Sequence, residues 1–250
     1  AITNNLNFCS PETSTGYWQL ALACKGLSKA SEMLETPITG GNVSLYNETR
    51  LSNGKTQPIQ PTPVIGMVGL INNLENICGQ GWVNPGDSIW LLGVPLEVHN
   101  SLDPRVTLAA TSYLEHIHGI LTGRPPEIDI KLEKVVQEFI RKTIIDGYIL
   151  SAHDISDGGI AIALAECSIS SGYGVHWEIP ASEARLDRLL FAEGGARVLV
   201  SIAAEKDARW QVLLNQLDKE KSGIVPATKI GKVQRDQKLL ITQREKTHVN

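Results

Sequence analysis

The stretch YILSAHDISDGGIAIALAECSIS, residues 148–170, sets the fold class. It opens as an apolar strand, Tyr148 to Ala152, and runs into the polar loop His153-Asp154-Ile155-Ser156-Asp157. The glycine pair Gly158-Gly159 then opens a helix over Ile160–Ser170. A strand handing over to a helix through a short polar loop is the unit of α/β architecture.

Working outward, strands are expected at Ser88–Leu92, Gly174–Ile179, Arg197–Ala203, Thr228–Val233 and Lys238–Thr242. Helices are expected near Val106–Ile120, Leu132–Asp146 and Lys206–Leu217. The class is therefore α/β or α+β. Connection-like residues over Asn73–Asn84 mark a boundary, giving domains at 1–78 and 84–250.

In the first part, Ala1–Thr3 reads as the end of a strand, Asn4–Ser10 as a polar loop, and Ser10 as the N-cap of a helix with Pro11 at its first position. Tyr17, Leu20, Cys24, Leu27 and Leu34 give that helix one buried stripe. A short strand, Ile38-Thr39, leads into a Gly40-Gly41 turn. Leu51–Pro63 reads as an exposed loop and Val64–Ile71 as a buried strand. An opening without Met, and a polar end, suggest a piece of a longer polypeptide.

Composition narrows the function. The 250 residues are 42% hydrophobic and 20% charged with a net charge of -4, which is ordinary globular composition. Without a basic stripe or a bilayer-length apolar run, neither nucleic acid nor membrane is expected as a partner. Cys9, Cys24, Cys78 and Cys167 are scattered and form no CxxC pair, so they read as reduced, mostly buried thiols of a cytoplasmic protein. His116 and His118, two apart, are poor co-ligands. Asp218–Lys221 reads as a solvated helix end.

Three segments have chemistry to offer. In Gly40-Gly41-Asn42-Val43-Ser44, glycines let backbone amides approach a phosphate, an Asn oxygen suits Mg²⁺, and a Ser hydroxyl suits phosphate or carboxylate. From these five residues alone a plain Gly-Gly turn is the better reading. Asn4-Asn5-Leu6-Asn7 offers amides at a strand end, against an Asx-turn that is again preferred on spacing. For His153–Gly159 the two readings balance: an anion seat at a helix start with Asp154 or Asp157 holding a cation, or a simple N-cap at Ser156 or Asp157. GxSxG, HExxH and Walker patterns are absent from the sequence.

In order along the chain, AITNNLNF (1–8), GGNVSLYNET (40–49), PTPVIG (61–66) and AHDISDGG (152–159) resemble the synthetase subunits of phosphoribosylformylglycinamidine synthase. That family belongs to the aminoimidazole-ribotide-synthetase-like superfamily. The resemblance implies a two-domain unit with its first domain truncated, the second of two tandem units. It implies ATP and Mg²⁺ as cofactors and formylglycinamide ribonucleotide as substrate, its amide oxygen phosphorylated and the phosphate displaced by ammonia. The implied partners are the first synthetase half, a glutaminase subunit and a small bridging subunit, and self-association of the piece is a further expectation.

Matched by position, Asn4 and Gly41 would contact ATP, Asn42 would bind Mg²⁺ and Ser44 the substrate. Asp154 would be an auxiliary metal candidate, and no catalytic residue falls within the chain. Asn4 stands where the family usually has Asp, and Cys9 where it usually has Gly. In Leu190–Gly195 the two glycines lack the polar side chains that bind substrate in the first unit. The alternative role is a non-catalytic, structural nucleotide-binding and interaction module. GNVSLYNET followed by PTPVIG argues against cyclisation, selenophosphate or thiamine-phosphate chemistry.

Overall fold

The computed structural model describes residues 1–96, 103–220, 225–243 and 246–249. They form two compact units, Ala1–Asn72 and Asn73–Asn250.

In the first unit, strand β1 (Ile2–Asn7) is followed by helix α1 (Ser14–Met33) and strand β2 (Ile38–Ser44). A hairpin, β3 (Glu48–Arg50) and β4 (Thr56–Pro58), precedes β5 (Thr62–Met67). The sheet order is β2-β1-β5, with β2 parallel and β5 antiparallel to β1. A parallel neighbour requires a long crossover, and α1 supplies it.

Here the sequence-based expectations need most correction. The amides of Asn4 to Asn7 belong to a strand, because β1 has ladder partners on both sides as far as Asn7. Gly40-Gly41 is no turn, since both lie inside β2. Thr13, not Ser10, caps α1, its Oγ1 accepting from the Gly16 amide at 3.1 Å, while Ser10 holds the preceding turn through Glu12 and Thr13. The stripe on α1 is not buried: Gly16 is the one fully buried residue of that helix, and Tyr17 is 65% exposed. Nor is Val64–Ile71 a buried strand, for β5 is exposed along its length and ends at Met67. Inside the expected loop Leu51–Pro63, β4 pairs with β3.

The second unit starts from β6 (Ser88–Gly93), then α2 (Ser112–His118), α3 (Ile130–Ile145), β7 (Ile149–Asp154) and α4 (Gly159–Ser171). It continues through β8 (Gly174–Glu178), α5 (Leu186–Phe191), β9 (Arg197–Ile202), α6 (Asp207–Glu220), β10 (Ala227–Gln234), β11 (Leu239–Gln243) and β12 (Lys246–Val249). The seven strands run β12-β11-β8-β10-β6-β9-β7. Strand alternation divides the core: Ile89 and Leu91 enter a cluster with Trp177 and the α4 side chains Ile160 and Leu164, while Trp90 and Leu92 enter one with Val136 of α3 and Trp210 of α6. Helices thus cover both faces. Burying each Leu- or Ile-sized side chain contributes about 1.5–3 kcal/mol.

At β6 the buried polar groups are partnered, whereas the buried Trp177 indole N–H of β8 makes no hydrogen bond among the described residues. Ser88 donates to Asp207 at 2.6 Å and receives the Trp90 indole N–H at 3.0 Å, while Lys229 reaches the other Asp207 oxygen at 2.7 Å. Burial works against the Asp207 charge, but the Lys229 and Ser88 bonds outweigh it and hold its pKa below the ordinary carboxylate value.

The expected helix over Val106–Ile120 shortens to α2 behind its Thr111 cap, and α5 and β12 lacked a clear periodic signal. Of the cysteines only Cys167 is buried, its thiol pushed up to about 12 mainly by burial; Cys24 is exposed. The side chains of Asp218–Lys221 lie outside the described residues. Among the described residues no helix is long and apolar enough to cross a membrane.

Candidate functional site

The first unit gathers the amides. The register pairs Asn4 with Gly41, Asn5 with Asn42, Leu6 with Val43 and Asn7 with Ser44. Ile2 and Leu6 are buried, which turns the face carrying Ile2, Asn4 and Leu6 inward, and Asn4 and Leu6 line a recess with the α1 residues Cys24, Leu27 and Ser28. Alternation puts Asn5 and Asn7, with Asn42 and Ser44, on the opposite face.

Gly41 is where the two strands approach closely. A Cβ there would fall 2.4 Å from the Asn4 carbonyl oxygen and 2.5 Å from its Oδ1. The Asn4 amide therefore lies over Gly41 and needs its bare backbone.

On the open face a recess of about 350 Å³ is lined by Thr3, Asn5, Asn42, Val64 and Gly66, with Asn4 and Gly41 also bordering it. Its lining carries no charged side chain. Ser44 Oγ lies 3.3 Å from Asn42 Oδ1, and Asn7 Nδ2 donates to Asn5 Oδ1 at 3.3 Å. Past β2, the Ser44 carbonyl accepts from the Phe8 amide at 3.0 Å and from Asn47 Nδ2 at 2.9 Å, which fixes the strand's end. Tyr46 donates to Glu12 at 3.3 Å, and chiefly the charge of that carboxylate raises the phenol's pKa.

Such a lining suits a particular ligand chemistry. A neutral amide oxygen is a hard ligand, but one such oxygen cannot assemble the octahedral shell of Mg²⁺. The residues fit a cation that arrives already bound to phosphate and keeps its waters. Asn42 would hold the cation and Ser44 would hydrogen-bond the attached or neighbouring ligand.

The second unit presents a different picture at HDISDGG. His153 and Asp154 close β7, with His153 Nδ1 3.3 Å from Asp154 and Nε2 3.0 Å from Glu166. The Asp154 side chain is 76% exposed, and no group of three or more metal-ligating side chains occurs among the described residues. Neither Ser156 nor Asp157 caps α4; Gly158 is the N-cap and makes no side-chain bond.

Glu193 lies at that helix start instead. Its Oε1 accepts from the Gly158 amide at 2.8 Å and from the Ser112 amide at 2.9 Å, so one carboxylate serves the starts of α4 and α2. This residue was missed from sequence, although an acid before two glycines in Leu190–Gly195 was the available signal. The structure thus joins Asn4 to Gly41 and Asn42 to Ser44, while Asp154 stands in the other unit.

Residues 84–242 match the family model described as AIR synthase related protein, C-terminal domain. The chain is 62% identical over 243 residues to the phosphoribosylformylglycinamidine synthase subunit PurL of Prochlorococcus marinus strain MIT 9303, covering 97% of this chain and 31% of that protein. It is 53% identical to PurL of Synechococcus sp. strain WH7803, covering 93% and 30%. The chain thus spans about a third of the length of the curated relatives it matches. Among solved structures, Thermotoga maritima PurL complexed with ATP is similar in fold, with a TM-score of 0.63 at 14% identity over 98% of this chain and 36% of that one. The same organism's PurL complexed with FGAR gives 0.62 at 17%, over 99% and 38%.

Proposed function

Since the chain belongs to the AIR synthase related protein family, which its residues 84–242 match, we propose that it forms part of an ATP-dependent carbon–nitrogen ligase, phosphoribosylformylglycinamidine synthase. The reaction converts formylglycinamide ribonucleotide and ammonia to the amidine in purine biosynthesis. ATP phosphorylates the amide oxygen, and ammonia displaces the phosphate.

The carrying observation is the open face of the sheet, where Asn42 lines the recess opposite Asn5 and the Ser44 hydroxyl bonds Asn42 from beside it. Asn4 and Gly41 contact the nucleotide, Asn42 holds Mg²⁺, and Ser44 bonds the substrate. When bound, the metal offsets charge on the transferring phosphoryl group. A neutral lining leaves the acidic metal ligands and the catalytic base to the first synthetase half. Ammonia comes from a glutaminase subunit joined through a small bridging subunit, and the assembly works in the cytoplasm.

The second unit favours a supporting role. Glu193 fills the helix start where a phosphate would otherwise sit, and two anions there would repel. Asp154 is kept as an auxiliary cation position only.

The test is a full-length P. marinus PurL whose matching third is replaced by this chain. With formylglycinamide ribonucleotide, ATP and ammonium it should form amidine at a rate within about tenfold of the parent, since the exchanged third is 62% identical. A folded chimera with no turnover would overturn the reading.

A further inference from the structure

The geometry assigns a direct ligand contact to Asn5, at the centre of the open-face recess. This rests on the metal–nucleotide reading of Asn42 and Ser44 and deepens it.

β1 is the middle strand, and Asn5 lies between Asn42 on β2 and Val64 on β5. All three line the recess. Asn4, its neighbour in sequence, alternates to the other face, lies over Gly41 and meets the recess only at its border. Among the β1 amides, Asn5 is therefore the one directed at whatever Asn42 holds.

Its orientation is set locally. Asn7 Nδ2 donates to Asn5 Oδ1, so the Asn5 oxygen is engaged along the strand and its NH₂ is the group left to offer a ligand in the recess that Asn5 lines. On β2 the same two-residue spacing links Ser44 Oγ to Asn42 Oδ1, which retains a second lone pair. A hydrogen-bond donor thus stands beside a hard acceptor. That pair matches a divalent cation carrying a polyphosphate: the cation on Asn42, an anionic phosphate oxygen on Asn5.

Strand propensity points the same way. Asn is depleted in strands, yet β1 carries three in six residues. Such a local conflict is tolerated where a site requires it.

The experiment measures the Kd of Mg²⁺·AMPPCP by titration calorimetry on the full-length chimera and four variants. Asn5→Ala removes one hydrogen bond to a charged group and should weaken binding roughly tenfold to a hundredfold. Asn5→Asp turns a carboxylate toward phosphate and should weaken it by more than about a hundredfold. Asn5→Thr suits a strand and keeps a donor, so it guards against misfolding and should remain within about fivefold of the parent. Asn42→Ala serves as reference. If Asn42→Ala abolishes binding while Asn5→Ala and Asn5→Asp bind like the parent, the Asn5 contact is wrong and the nucleotide reading stands. If Asn42→Ala also binds like the parent, both fall.

Discussion

Asn42→Ala, in a full-length PurL carrying this chain, is expected to lower kcat for amidine formation by about a hundredfold to a thousandfold. The thermal unfolding midpoint should stay within about 2 °C of the parent, because an exposed substitution away from the core costs little. Asn42 lies exposed on β2 and its removal opens no cavity. Only the Ser44 hydroxyl loses a partner, and it remains open to solvent. Activity and stability therefore separate cleanly. Ser44→Ala should act mainly on KM for formylglycinamide ribonucleotide, raising it about tenfold, as loss of one hydrogen bond does. Near-parent kinetics in both variants would favour the structural-module reading instead.

Gly93→Ala should do the opposite, destabilising the second unit with no direct effect on the recess. Gly93 ends β6, an interior strand between β10 and β9, with φ of 96°. An added Cβ would lie 1.5 Å from the Ala196 carbonyl oxygen, which itself accepts from the Val94 amide at 3.0 Å. Neither backbone can retreat without breaking the β6–β9 ladder. The expected cost is about 3 kcal/mol or more, from positive-φ strain and collision together. That corresponds to a fall of roughly 10 °C in the unfolding midpoint, read by calorimetry. A midpoint within 2 °C of the parent would show that the ladder relaxes.

The second unit was largely legible because its core residues recur with clear periods. Ser88–Gly93 is buried throughout and apolar from Ile89 onward, and α4 packs Ile160, Leu164 and Cys167 at helical spacing. The first unit was not legible in the same way. In Ile38–Ser44 the Gly-Gly pair and Asn read locally as a turn, yet β1 supplies the ladder that keeps them extended. Val64–Ile71 has a buried strand's composition but no covering layer among the described residues, so composition gave the wrong burial.

For the site, residue types were legible and faces were not. The sequence shows amides at 4, 5, 7 and 42, but which of them meet depends on a register set by the parallel pairing of β1 with β2. A shift by one residue would send Asn5 to the α1 side. Glu193 escaped for a similar reason, since its two amide partners lie 35 and 81 residues away in sequence.

The position of the cation is the most direct test. Crystals of the full-length chimera with Mn²⁺ and AMPPCP would give an anomalous signal at the metal. The expected peak lies about 2.1–2.2 Å from Asn42 Oδ1, close to the Mg²⁺–oxygen distance, in the recess bordered by Asn5 and Gly41. A bound nucleotide whose manganese sits away from Asn42, or only beside Asp154, would contradict the assignment.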